Sequence, residues 1–254
     1  AARPDITRWY VWLAQLYLDM NASERAAKLI KIVNETNPGS SFSAWGNLLL
    51  ELQHRSGKNL EEDARLLLEA NGIGPDHWIG QFAAGQLRNQ AMQDGRLDDA
   101  RQVYDKYYPQ LLTESEPAIY ISNYRAAIDL ALVLQRTGNS AQAEKLLLLC
   151  ARFISTLPRL GWWGGYWISD VQILALQGKH AEALDTLQKA FNEGWRMLWW
   201  YYLNHEPNLE SILNAPAVIA MREEIELEMA AKMQNVSEME NAGEIGLVAG
   251  MDSD

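Results

Sequence analysis

Apolar side chains recur along this chain every three to four positions, in blocks separated by a single Gly or Asn. The pattern is clearest over residues 167–194, where Trp167, Val171 and Leu174 share one helical face. A turn at Gln177-Gly178-Lys179 follows, and then Ala183, Leu187 and Ala190 line a second helix, with small residues where it must press against the first. The same arrangement is legible upstream. Residues 1–38 carry Tyr10, Ala14 and Tyr17, a turn at Asn21, then Ala26, Ile30 and Val33 and a closing Pro38. Residues 39–75 form a degenerate unit with Trp45, Leu48, Leu49 and Leu52, a turn at Gly57, and Ala64, Leu67 and Leu68. Residues 76–112 carry Ala84, Leu87 and Ala91, a turn at Asp94-Gly95, then Ala100, Tyr104 and Tyr107. Residues 113–158 open on Ser115 as a helix cap ahead of Pro117, continue through Ala127, Ala131 and Leu134, turn at Gly138, and carry Ala143, Leu147 and Cys150. The fifth unit is 159–194. Alanines 26, 64, 100, 143 and 183 hold equivalent positions in the second helices, 36 to 43 residues apart. The expectation is an all-α chain of about five helix-turn-helix units.

Beyond Gly194 the pattern changes. Trp195, Trp199, Trp200, Tyr201 and Tyr202 precede a short helix from Pro207 to Leu213 and a longer one from Pro216 to about Gln234. In that last helix Ile219, Met221, Ile225 and Met229 oppose a row of glutamates, as a capping element with one polar face requires. Residues 195–238 are thus the aromatic segment and cap, and 239–254 read as an acidic, mobile tail.

A bulky residue early in the first helix, Gly at the turn and Ala-x3-bulky-x2-Ala in the second resemble a tetratricopeptide (TPR) repeat. The resemblance covers roughly residues 5 to 234 and implies a right-handed α-α superhelix, irregular because its spacings exceed 34 residues. The run from Gly194 through Ala230, with its aromatic cluster, Pro207-Asn208-Leu209, Pro216 and Glu-rich helix, is similar to the end of TPR regions in bacterial signalling proteins. In these, an N-terminal winged-helix DNA-binding domain (CadC-like) or a class III adenylate cyclase is followed by a membrane helix and the TPR region. The resemblance implies a regulatory arm of a larger bacterial signalling protein, periplasmic if it holds and otherwise cytoplasmic.

Composition narrows the partners. The 254 residues are 48% hydrophobic, enough for a substantial core, and carry a formal charge of −11, which repels nucleic-acid phosphate and anionic membranes. No apolar run approaches the ~20 residues that span a bilayer. With one cysteine, Cys150, no internal disulfide forms. No signal peptide is visible, yet the chain opens Ala-Ala-Arg-Pro without Met and reads as a piece of something longer.

Candidate chemistry is sparse. His54, His77, His180 and His205 are scattered without metal-ligand spacing, and His180 stands where TPR units place a packed aromatic ring. Cys150 occupies a small buried position rather than that of a nucleophile. Gly72-Ile73-Gly74 and Gly57-Lys58 lack the rest of a dinucleotide or phosphate loop. Glu61-Glu62-Asp63 and Asp98-Asp99 read as solvated helix starts that favour the positive helix end. No catalytic residue, cofactor or metal site is assigned, and the expectation is a non-catalytic interaction and regulatory module.

Two features suit binding. By repeat register, Arg8, Trp12, Gln15, Gln86, Asn89, Arg125, Asp129, Gln135, Ser169 and Gln172 line a concave face. Such amide-rich side chains suit the backbone of a protein or peptide partner, and they equally suit water. The second feature is aromatic: Trp162, Trp163, Tyr166, Trp195, Trp199 and Tyr202, interleaved early by Gly161, Gly164 and Gly165. It reads either as packing that closes the last unit or as the pocket of a small-molecule sensor near Trp163 and Trp199.

Overall fold

A computed structural model describes residues 4–54, 59–70, 72–157 and 166–244, and the side chains of 7–54 and 168–244 at its two outer segments. Thirteen α-helices and no strand occur among the described residues. Ten of these helices form five hairpins. They are α1 (Pro4–Asp19) with α2 (Ser23–Thr36), α3 (Ser41–His54) with α4 (Leu60–Glu69), and α5 (Trp78–Gln93) with α6 (Leu97–Tyr107). After the single-turn helix α7 (Gln110–Thr113) come α8 (Tyr124–Arg136) with α9 (Ser140–Ser155) and α10 (Tyr166–Leu176) with α11 (His180–Asn192). The second helix of each hairpin also packs on the first helix of the next, and α1·α3, α5·α8 and α8·α10 pack as neighbouring first helices.

The turns share one geometry. At Asn21, Gly95, Gly138 and Gly178 the backbone is left-handed, with φ of 58°, 73°, 81° and 73°. The following amide reaches back five residues each time: Ala22 to the Tyr17 carbonyl at 2.7 Å, Arg96 to Ala91 at 2.8 Å, Asn139 to Leu134 at 2.7 Å and Lys179 to Leu174 at 2.9 Å. This is the Schellman closure, which satisfies helix-end carbonyls and reverses the chain within three residues. Gly57, the expected turn of the second unit, lies outside the described residues. Alanines 26, 64, 100, 143 and 183 are all fully buried, so close helix approach is what the spacing encoded.

Several expectations need correction. Residues 114–123 are not a helix capped by Ser115. Residues 117–120 have no regular structure and 121–123 form a turn, which Asn123 ties down, accepting from the Tyr120 amide at 2.8 Å and donating to the Ala118 carbonyl at 3.0 Å. In the last helix, α13 (Pro216–Asn241), the buried face is Val218, Met221, Ile225 and Met229, and Ile219 is exposed. Positions 218 and 221 are three apart and share a face, whereas 219 and 221 point to different sides. The helix also runs past Gln234 to Asn241, because Arg25 of α2 holds Glu240 through two 2.7 Å contacts and Ser237 through a third. Residues 245–254 of the expected tail lie outside the described residues. No helix among the described residues is long and apolar enough to cross a membrane.

Candidate functional site

After α11 the chain does not simply cap the last hairpin. Helix α12 (Trp199–His205) and a 3₁₀ turn (Pro207–Leu209) lie against the first helices of the hairpins, and α13 then packs on α11 and α12. The site is built where this segment meets α5 and α8.

Helix α5 is buried nearly all round, polar residues Gln81, Gln86, Arg88 and Asn89 included. Its small residues permit this. A Cβ on Gly80 would sit 1.8 Å from the Gly74 carbonyl oxygen, and one on Gly85 would sit 2.7 Å from Asp129 Oδ2. Glycine at 85 therefore makes room for a buried carboxylate, and Arg88, one turn on, answers it. Arg88, fully buried, donates to Asp129 Oδ1 at 3.3 Å, Glu206 Oε1 at 3.5 Å and Asn208 Oδ1 at 2.9 Å. Asn208 returns a 2.6 Å bond from Nδ2 to Asp129 Oδ1, and its backbone N–H donates to Glu206 Oε1 at 3.1 Å. Burial raises both carboxylates above their ordinary range, and the Arg88 charge opposes the rise. Burial alone would lower the Arg88 pKa, but Asp129 and Glu206 hold the guanidinium firmly charged.

Tyr201 extends the network. Its hydroxyl accepts from Gln86 Nε2 at 2.8 Å and Asn89 Nδ2 at 2.9 Å, and it bonds to Glu206. Beside it Tyr202 accepts from Arg125 at 3.4 Å. Gln81, Arg125, Asp129, Gln172 and Tyr202 surround a polar cavity of about 20 Å³, the size that one water needs.

The other end of the segment is clasped by the first hairpin. Asp19, buried at the end of α1, accepts from the Leu198 amide at 3.0 Å and Trp200 Nε1 at 3.1 Å, while its carbonyl takes Trp199 Nε1 at 2.8 Å. Leu198 adopts φ of 53°, a left-handed conformation that a branched-chain residue holds only when its surroundings over-determine it. Burial pushes the Asp19 carboxyl well up, against the pull of the Leu198 and Trp200 donors.

Of the residues expected on the concave face, Gln86, Asn89, Arg125 and Asp129 meet residues 201–208 directly, and Gln172 lines the same cavity. Ser169 and Gln15 are buried, Gln135 donates to the Leu176 carbonyl at 2.9 Å, and Trp12 packs on Trp78 at 5.9 Å between ring centroids. Arg8 is exposed and lies over the Trp9 ring at 5.9 Å. Of the aromatic set, Trp195, Trp199 and Tyr202 are buried, with Trp195 on Tyr202 at 6.0 Å and Tyr201 on Phe82 at 5.1 Å. Trp162, Trp163 and the Tyr166 side chain lie outside the described residues.

Two polar readings change. His180 is exposed at the start of α11 rather than packed, because the helix opens there with its buried face beginning at Ala183. Asp63 is buried rather than solvated, and burial first, opposed by Asn47, lifts it to about 6. Cys150 is buried as expected, its thiol pushed up by burial. Among the described residues no three His, Cys, Asp or Glu side chains group to hold a metal. The residues that the sequence reading missed are Asp19, Arg88, Glu206 and Asn208. Arg88 directly follows the buried Leu87, and Glu206 directly precedes the noted Pro207-Asn208-Leu209, so adjacency was the signal available. In comparisons with protein-family models, curated proteins and solved structures, nothing matches this chain.

Proposed function

We propose that the chain is a TPR-like, right-handed superhelix that works as a non-catalytic protein-interaction and regulatory module. Its concave face carries peptide-recognition chemistry, and residues 199–209 are the resident occupant of that face. The observation that carries the reading is the bonding of Gln86, Arg88, Asn89, Arg125 and Asp129 to Tyr201, Tyr202, Glu206 and Asn208, side chains of a segment remote in sequence. Polar side chains projecting from successive first helices onto one short segment are how a superhelical groove reads a peptide. The partner is then a protein segment with the same chemistry: adjacent aromatics followed by an acid and an amide. The attachment to a larger bacterial signalling protein rests on the likeness of residues 194–230 to the ends of such regulatory arms. The small-molecule reading at Trp199 has less support, since its indole N–H is taken by the Asp19 carbonyl.

The test loosens the occupant without emptying the groove. A Tyr201→Phe/Glu206→Gln chain keeps the fold but loses bonds on the segment's side only. From bacterial lysate and envelope extract it should capture a partner that the native chain captures weakly. Adding Arg88→Ala should abolish that capture. Equal capture by all three folded chains would defeat the reading.

A further inference from the structure

Helix α1 shows an apolar side to solvent. Of its described side chains only Arg8, Trp9 and Leu16 are exposed, Trp9 at 67% and Leu16 at 51%. Leu13 and Met20 are half-buried against the core, and the Met20 amide still bonds to the Leu16 carbonyl at 3.0 Å, so the helical path reaches it. Trp9, Leu13, Leu16 and Met20 follow one another at steps of four, three and four, the spacing of a coiled-coil seam. One exposed apolar residue is ordinary, but a row of them along one helix marks a contact surface.

The later first helices differ at the same positions. Counted back from the turn residues, Trp9 and Leu13 correspond to Ala83 and Leu87 of α5 and to Ala126 and Leu130 of α8, all four of them buried. Those helices carry α4 and α6 from the hairpins before them. A tryptophan therefore stands on α1 where a helix already covered has alanine.

Two observations choose the occupant. Among the described helices α4 and α9 each expose one large apolar residue, Leu66 and Leu148, and α13 sets Leu227 among glutamates. The surface of this chain that complements the α1 seam is thus the seam itself. Charge agrees. The chain carries −11, yet between Thr7 and Ser40 four basic side chains stand against three acidic ones, so two copies meet there with little repulsion.

We propose that α1 pairs antiparallel with α1 of a second copy, giving a symmetric dimer in which one patch serves both sides. Centred between Leu13 and Leu16, the pairing sets Leu13 against Leu16 of the second copy and Trp9 against its Met20. It also brings Arg8 to the second copy's first turn, beside which Glu24 is exposed at the start of α2. The seam is only two heptads long, so the dimer is weak and forms with rising concentration.

The test is sedimentation equilibrium of the full chain from about 1 μM to about 1 mM, where monomer should give way to dimer. Leu16→Glu, at an exposed position, should keep the helical circular dichroism and the melting temperature and weaken association at least about tenfold. Arg8→Glu should weaken it about fivefold, because the symmetric contact occurs twice, and adding Glu24→Arg should restore it. Monomer across the whole range would overturn the proposal and leave the seam to a helix of another protein. A dimer indifferent to Leu16→Glu or to Arg8→Glu would overturn it as well, and so would a loss at Arg8→Glu that Glu24→Arg does not repair.

Discussion

Arg88 answers two acids from different parts of the chain, Asp129 from α8 and Glu206 from the returning segment. A buried ion pair adds little net stability when intact but is costly to break, because the remaining charge stays in a poor solvent. Arg88→Met should therefore cost about 3–5 kcal/mol in denaturant unfolding. Combining it with Asp129→Asn and Glu206→Gln should return most of that loss. Asp63 makes a pH prediction of opposite character. Its folded pKa, about 6, stands above the ordinary 3.8, so the folded state binds the extra proton. Stability then falls as pH rises from about 4 to about 6 and stays lowered above it. In Asp63→Asn that part of the fall should vanish, so the variant should melt higher than the native chain at pH 7.5 and nearly with it at pH 4. Melting both proteins at the two pH values checks the sign.

At the level of the helical hairpin, the left-handed turn residue is the feature a single substitution can probe. Gly138 at φ of 81° tolerates no β-carbon without strain, so Gly138→Ala should cost about 1–2 kcal/mol. Asn21→Gly, at φ of 58°, should gain a fraction of that or break even, because glycine relieves strain but loses more entropy. Thermal melts of the two variants should move in different directions or by very different amounts. These turns and the buried alanines were legible in the sequence because each is a local requirement: a backbone angle, or one small side chain at a fixed spacing. The loop over 114–123 was not, since Asn123 fixes it by bonds that only the folded loop creates. Residues 199–209 were legible in part, since Trp199, Trp200, Tyr201 and Tyr202 are buried as the packing reading expects. Their aromatic content read as packing or a pocket, but which groups Tyr201 and Glu206 bond to depends on the chain returning across hairpins far apart in sequence. Gln86, Asn89, Arg125 and Asp129 were placed on one face by register alone, while Arg88 was passed over because its charge argues for solvent until Gly85 and Asp129 are set beside it.

Across the whole molecule, α13 runs back to the first hairpin, and Arg25 with Glu240 pins its far end. An ion pair this close to the surface contributes only about 0–1 kcal/mol. Glu240→Gln should therefore leave the melting temperature almost in place while amide hydrogen exchange quickens over the last turns of α13. The Asp19 clasp on residues 198–200 has a different consequence, one of order in time. It joins residues 180 apart in sequence. Closing a loop of that length in a disordered chain costs about 4–5 kcal/mol in entropy, more than the few bonds at Asp19 return. The clasp must then latch late, once hairpins stabilised by neighbouring residues have shortened the gap it spans. A bond made after the rate-limiting barrier slows escape without speeding arrival. Asp19→Ala should accelerate unfolding by about thirtyfold while refolding keeps its native rate, as followed by tryptophan fluorescence after rapid dilution. Slowed refolding would instead put the latch among the first contacts made, and would mean that the two ends of the chain find each other before the hairpins between them are complete.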